Sequence, residues 1–375
     1  MKIATFNIQN LFHRDRSLLD KPFDDCSAEW TIEIDQLMAK IKRTDKDNLR
    51  LRELSCMLGI DNSLQLPYAV VKRKSGFLFL KGMNYSKELK AGELTDWNGW
   101  IALQNVPIEP LAIENKARVI ADINPDILIL QEIEDRASLE EFNTILLPKF
   151  NCTPFKDSFV VQGNDKRGRE IGILTRKGFE IRSVRSHIFD QDISGRNIFN
   201  KDLLEYDIRT KAGNTIFILA AHLQETGIAN DLSEIYRRKQ AERAAEIYMN
   251  LLEEGKNYIA LVGTLNAACF SNSIIPLLQE TNLRDVTRHH SFKVDYDKGK
   301  DAGYFSLGAY QKGVNIKQKD YLLLSPELFT KVIKCGLNRR GVWPENQPMW
   351  SIYPSMQIKN QAASEHPAIW VEIDV

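Results

Sequence analysis

The stretch PDILILQEIE, Pro125 to Glu134, decides how the rest of the chain is read. Ile127-Leu128-Ile129-Leu130 is an apolar run of strand length, so Asp126–Gln131 is expected as a buried strand. That run ends on Glu132. A carboxylate at the mouth of a buried strand carries a desolvation cost unless a cation or a donor meets it. The same residue also fits a helix N-terminal carboxylate ahead of Asp135 to Glu141. On these residues alone both readings stand.

Further short β runs are expected at Lys2–Ile8, Glu170–Thr175, Leu204–Arg209, Thr215–Ala221, Tyr258–Val262, Asp320–Ser325 and Pro367–Asp374. Helical periodicity falls on Ile113–Asn124, Leu139–Leu147, Leu232–Leu252 and Ser273–Glu280. Helices between some strands and hairpin-like spacing between others predict an α/β sandwich, two packed mixed β-sheets with helices outside. The chain is read as a single domain over 1–375 with an insertion at about 14–112. The insertion is charged from Lys40 to Arg52 and then aromatic (Phe77, Phe79, Tyr85, Trp97, Trp100). Its Leu51, Leu54, Met57, Leu58 and Ile60 are helically spaced and read as local core.

Composition narrows the function. At 375 residues, 43% hydrophobic and 27% charged, the chain is an ordinary globular protein rather than a disordered or fibrous one. Fifty basic against fifty acidic residues give no net charge, so no global field draws it onto a polyanion. Five scattered cysteines with no C-x-x-C pair point to a reducing compartment, and the cytoplasm is expected. The N-terminus enters a strand without the apolar run of a signal peptide, and no stretch approaches the ~20 residues of a membrane span. A monomer is expected.

Polar residues recur at the ends of the apolar runs. Asn7 follows Ile3 to Phe6, His222 follows Ile216 to Ala221, Asn266 follows Leu261 to Leu265, Asp320 precedes Tyr321 to Leu324, and Glu365-His366 opens the last strand. Each alone has an ordinary explanation: a satisfied core histidine, a turn asparagine, a strand-edge aspartate. Six such positions with Glu132 are improbable by chance.

These motifs, TFNIQNLF, PDILILQEIE, DKRGREIGIL, AAHLQE, VGTLNA, KDYLLLS and SEHP, resemble in content and order the endonuclease/exonuclease/phosphatase superfamily, typified by deoxyribonuclease I. The likeness spans the chain outside residues 14–112. It implies a four-layer, DNase I-like α/β sandwich with the site at one end of the sheets. It further implies Glu132 as the principal ligand of Mg²⁺ or Mn²⁺ with Asn7 beside it. His366 would act on the phosphate or the attacking water, oriented by Asp320. His222 would contact the scissile phosphate, Asn266 would stabilise charge on its oxygens, and Arg167 is a candidate phosphate clamp.

The likeness breaks at two site positions. Gly263-Thr264-Leu265-Asn266 stands where the family pattern has Gly-Asp-x-Asn, and a neutral hydroxyl is a far poorer proton acceptor than a carboxylate. Loss of a positioned base costs roughly 10² to 10⁴ in rate. Glu365 stands where aspartate precedes the closing histidine, and its extra methylene shifts the carboxylate by about an ångström. Glu170 also stands where aspartate is expected. Two readings follow. In one, the protein is a metal-dependent phosphoesterase of reduced activity, cleaving phosphodiesters by activated-water attack with Glu365, Asp165, Glu170 or metal-bound water as base; nucleic acid is among its candidate substrates. In the other, it is a degenerate hydrolase fold that binds a phosphorylated ligand or a protein partner without turnover. A third reading makes the insertion an interaction module on a hydrolase scaffold. P-loop, dinucleotide, zincin and nucleophile-elbow signatures are absent.

Weaker signals read as structure. Asp295 to Gly299 is read as a loop, His289 and His290 as surface loop residues, and Tyr236 to Lys239 with Arg243 as a solvated helix face. Arg339 and Arg340 near Trp343 and Trp350 hint at charge plus stacking.

Overall fold

Alternate residues of the apolar strands part to opposite sides, and this builds the layers. The structure, a computed structural model, describes residues 1–11, 25–57, 69–75, 78–81, 99–103, 108–165, 169–225, 230–294, 318–344 and 350–375. Ile3, Ile127 and Ile129 enter one core with Ile218, Ala220 and Val262, whereas Ala4, Leu128 and Leu130 enter a second with Val119 and Ile120. Leu219, Ala221 and Leu261 enter a third with Ala241, Ala244 and Tyr248. The first core lies between two sheets, and the other two lie between a sheet and its covering helix. Strands covered on both faces need apolar residues at every position, which is why they read as continuous runs.

The strands are β1 (Lys2–Leu11), β2 (Ala69–Ser75), β3 (Leu78–Lys81), β4 (Gly99–Leu103), β5 (Ile127–Ile133), β6 (Asp157–Val161), β7 (Glu170–Thr175), β8 (Glu180–Ser186), β9 (Leu203–Arg209), β10 (Thr215–His222), β11 (Ile259–Thr264), β12 (Arg284–Asp285), β13 (Phe292–Val294), β14 (Asp320–Leu324), β15 (Val332–Asn338) and β16 (Ala368–Ile373). One mixed sheet has seven strands in the order β13-β15-β16-β1-β5-β7-β6, and the other has six in the order β12-β14-β11-β10-β9-β8. With helices on their outer faces these form the expected four-layer α/β sandwich.

Register puts the polar strand ends on one edge. β1 and β5 are parallel, so Asn7 and Glu132 leave the sheet on the same side, and antiparallel β7 begins there with Glu170 opposite Ile133. In the other sheet β10 and β11 are parallel with His222 opposite Thr264, and antiparallel β14 begins with Asp320 opposite Thr264.

The chain divides into two compact units, 1–11 with 109–375, and 12–108. Within the second, helices α1 (Asp25–Met38) and α2 (Asp45–Met57) accompany a three-stranded sheet, β3-β2-β4. Leu51 and Leu54 are buried, whereas Met57 is exposed; Leu58, Ile60, Phe77, Tyr85 and Trp97 lie outside the described residues. The larger unit carries α3 (Pro110–Ile123) and α4 (Asn230–Glu253). The helix expected over Leu139–Leu147 is instead Arg136–Glu141 followed by a π turn, Phe142–Leu146, before Pro148, and that over Ser273–Glu280 shrinks to Ile275–Leu278. Edge strand β8 was not expected because its sequence, EIRSVRS, is largely exposed and lacks an apolar run. Among the described residues no helix is long and apolar enough to cross a membrane.

Candidate active site

The chain leaves regular strand geometry where the polar residues sit. Glu132 has a positive φ of 66° at a register shift between Gln131 and Ile133, so a bulge turns its side chain off the ladder. Gln9 and Asn10 are also left-handed, at 45° and 64°, within an irregularity between Asn7 and Leu11. A non-glycine residue held there costs about 1–3 kcal/mol, and such strain persists only where surrounding contacts fix it. Here they do. Gln9 N–H donates to Asn7 Oδ1 at 3.0 Å, and Gln9 Oε1 accepts from Glu365 N–H at 2.7 Å. Asn266, at 56°, is held by its Nδ2 donating to Leu223 O at 2.9 Å.

A chain of hydrogen bonds crosses from one sheet to the other and back. Asn7 Nδ2 donates to Thr264 Oγ1 at 3.2 Å and reaches Glu132 Oε1 at 3.5 Å. The Thr264 hydroxyl donates to Asp320 Oδ1 at 2.7 Å, and Asp320 Oδ2 lies 2.7 Å from His366 Nδ1. All five residues but His366 are buried, and His366 is nearly so. An acceptor at Nδ1 fixes that nitrogen as the N–H and leaves Nε2 to act on a ligand. Burial works against the charged form of His366, but Asp320 and then Glu132 outweigh it and raise its pKa.

On the other flank, His222 Nε2 lies 3.8 Å from Glu132 Oε1 and 4.0 Å from Glu225 Oε1. The ligating atoms of Glu132, His222 and Glu225 fall within 4.8 Å of one another, close enough to share an ion. Arg169 Nη1 contacts Glu225 Oε1 at 2.7 Å and Glu132 Oε1 at 3.7 Å, and Lys201 Nζ reaches Glu225 Oε1 at 2.9 Å. Burial opposes the charge on Arg169, yet Glu132, Glu225 and Asp165 raise its pKa. Two cations therefore already balance Glu225, while Glu132 has one at longer range. A hard divalent cation suits the carboxylate of Glu132, beside which Asn7 places its amide nitrogen while its oxygen accepts from Gln9 N–H.

Of the residues singled out by sequence, Asn7, Glu132, His222, Thr264, Asn266, Asp320 and His366 meet on this edge. Glu365 does not join them: it lies in the bend ahead of β16, where its side chain is 60% exposed and pairs with Lys359 at 3.4 Å. Of the groups expected as alternatives for the missing base, Glu365 thus lies away from His366 and Glu132. Glu170 is buried as a structural acceptor, its Oε2 taking the Gly163 N–H at 2.5 Å. Arg167 lies outside the described residues. Sequence reading missed Glu225, Arg169 and Lys201. Glu225 stands three residues beyond His222 in the same AAHLQE motif and Arg169 two beyond Arg167, but nothing local marks Lys201.

The weaker signals sort similarly. Arg237 is buried rather than solvated, donating to Gln224 O at 2.8 Å and Ser273 Oγ at 3.2 Å, while Arg238 and Lys239 pair with Glu242 and Asp192 near the surface. His289 is buried against His290 and Phe329 rather than in a surface loop. Arg339 stacks over Trp350 at 4.5 Å. Asp295 to Gly299 lies outside the described residues.

No protein-family model and no curated protein matches the chain. Similar solved structures include truncated TDP2 of Caenorhabditis elegans, 20% identical, covering 70% of this chain and 90% of its own, at a TM-score of 0.43. Another is the mannosyl-6-phosphatase Bt3783 of Bacteroides thetaiotaomicron VPI-5482, 15% identical over 70% of this chain and 92% of its own, at 0.46. A third is an endonuclease/exonuclease/phosphatase family protein from Bacteroides thetaiotaomicron, 15% identical over 69% and 85%, at 0.45. Likenesses of this size transfer no residue roles.

Proposed function

We propose that the protein is a divalent-metal-dependent phosphoesterase that hydrolyses phosphodiesters by attack of water, and that it belongs among the endonuclease/exonuclease/phosphatase proteins its motifs resemble. The observation that carries this reading is the cross-sheet chain Asn7–Thr264–Asp320–His366 lying beside the carboxylate of Glu132. Mg²⁺ or Mn²⁺ held by Glu132, with Asn7 beside it, would supply the positive charge that draws electron density off the phosphate. His366 keeps its Nδ1 proton on Asp320 and offers Nε2 to the attacking water. Asp320 has one oxygen on Thr264 and the other on His366, so it orients the ring and stabilises the imidazolium that forms. His222 and Asn266 contact the phosphate oxygens, with Arg169 and Lys201 adding charge on that flank.

Thr264 donates a proton into this chain rather than accepting one from water. That supports a reduced rate and leaves His366 as the base. It also favours the second reading, a site that binds a phosphorylated ligand or partner without turnover. One assay separates them: hydrolysis of bis(p-nitrophenyl) phosphate with and without Mn²⁺. Metal-dependent turnover that drops to background in Glu132→Ala and in His366→Ala is expected. A flat, metal-independent background in the wild type refutes the hydrolase and leaves the binding module.

A further inference from the structure

Lys116 stands in the middle of α3, where a helix covering a sheet would ordinarily place an apolar side chain. It is buried, and its neighbours Ala117, Val119 and Ile120 enter the helix–sheet core. Its ammonium reaches through that layer to three main-chain carbonyls: Ile8 O at 2.7 Å, Gln9 O at 2.9 Å and Ala363 O at 2.6 Å. An ammonium has three N–H donors, and here each has a carbonyl. A charge withdrawn from water is costly unless oriented dipoles replace its hydration.

Two of those carbonyls belong to the irregular end of β1, where left-handed Gln9 and Asn10 break the ladder and turn carbonyls out of it. The third belongs to the residue before Ser364, at the turn leading to His366. The two segments also meet directly, since Ser364 Oγ donates to Asn7 O at 2.7 Å and accepts from His366 N–H at 3.0 Å. Asn7 and His366 lie only one and three residues from the carbonyls Lys116 holds. They sit on opposite sides of the candidate site, one beside Glu132 and the other on Asp320.

We propose that Lys116 is a positioning residue of this site: its buried ammonium ties the β1 bulge to the 363–366 turn and so sets Asn7 and His366 at their working separation. The role rests on the hydrolase reading above. Lys116 touches neither substrate nor metal and acts through the backbone on residues that do. Uncharged replacement leaves three turned-out carbonyls without their donor and lets the two segments drift. A displacement near 1 Å in a catalytic arrangement costs about 10²-fold in rate.

The experiment compares wild type, Lys116→Met and Lys116→Arg in the full chain. Mn²⁺-dependent hydrolysis of bis(p-nitrophenyl) phosphate gives kcat and KM, and urea unfolding gives the folded fraction. Met keeps the side chain's length without its donors, while the planar fork of Arg keeps the charge but cannot face three carbonyls as an ammonium does. In folded protein we expect kcat to fall about 10²-fold in Lys116→Met and about tenfold in Lys116→Arg, with KM within threefold of wild type. A purely structural lysine would instead lower the urea midpoint and leave kcat per folded molecule unchanged. Wild-type kcat in either folded variant overturns the proposal, as does failure of both variants to fold. Absence of turnover in the wild type overturns the hydrolase reading itself, a result distinct from any variant-to-wild-type ratio.

Discussion

Replacing Thr264 by aspartate, the residue the family pattern has there, tests the hydrogen-bond chain directly. The Thr264 hydroxyl donates to Asp320 Oδ1 at 2.7 Å, and both residues are buried. An introduced carboxylate removes that donor and sets two negative oxygens about 3 Å apart, which at an effective dielectric of ~20 costs about 5 kcal/mol. Taking up a proton caps the cost. With a reference pKa of about 3.9 and about 1.36 kcal/mol per pH unit, the cap is about 1.5 kcal/mol at pH 5 and above the Coulomb cost at pH 8. Thr264→Asp should therefore be less stable than wild type by roughly 5 kcal/mol at pH 8 and roughly 1.5 kcal/mol at pH 5 in metal-free buffer. Saturating Mn²⁺ should recover much of the loss at pH 8, because an added cation gives the pair a partner. Urea unfolding at both pH values, with EDTA and with Mn²⁺, measures all of this. Equal stability of variant and wild type at pH 8 in EDTA would refute the donor role assigned to Thr264.

Three further outcomes are expected. Glu365→Ala should keep hydrolysis within about twofold of wild type, since its carboxylate faces solvent beside Lys359; a loss of tenfold or more would return Glu365 to the site. Gly263→Ala should destabilise by about 3 kcal/mol or more in urea, because φ there is 133° and a Cβ would collide with the Ala221 carbonyl across the β10–β11 pairing; a near-neutral result would contradict that register. Stability should fall between pH 5 and pH 8. Buried His187 lies between Asp190 at 2.9 Å and Glu205 at 2.6 Å; burial opposes its charge, but the carboxylates raise its pKa above 6.5, so its contribution is full at low pH and lost as pH rises through the folded value. Burial pushes Asp202 from 3.8 up to about 7, so it costs stability from the point where the unfolded chain ionises, in the same direction. A wild-type Tm that is flat or rising over this range, or an unaltered slope in His187→Gln and Asp202→Asn, would refute the account.

What was legible beforehand came from strands covered on both faces. Ile127 to Leu130, Ile216 to Ala221 and Tyr321 to Leu324 admit apolar residues at every position, so a polar group at either end stood out. Edge strand β8 gave no such contrast, because half its bonding partners are solvent and its residues are polar. The polar neighbours of Arg237 suggest a solvated helix face and the pair His289-His290 a surface loop, whereas the burial of both residues depends on the distant Ser273 and Phe329.

The sequence by itself determined the period of the strands, the apolar content of the three cores and the residue types at the strand ends, because these follow from local spacing and burial. Tertiary structure alone decided which of those ends meet. Thr264 faces Asp320 only because β14 runs antiparallel to β11, and Glu132 leaves its strand through a bulge that no residue pattern announces. In the bend ahead of β16, Glu365 faces Lys359 at the surface while His366 beside it meets Asp320 from the other sheet. Lys201 and Lys116 gained their partners from segments 24 and more than 100 residues away, and hydrogen bonds at such separations are fixed by packing, not by neighbouring sequence.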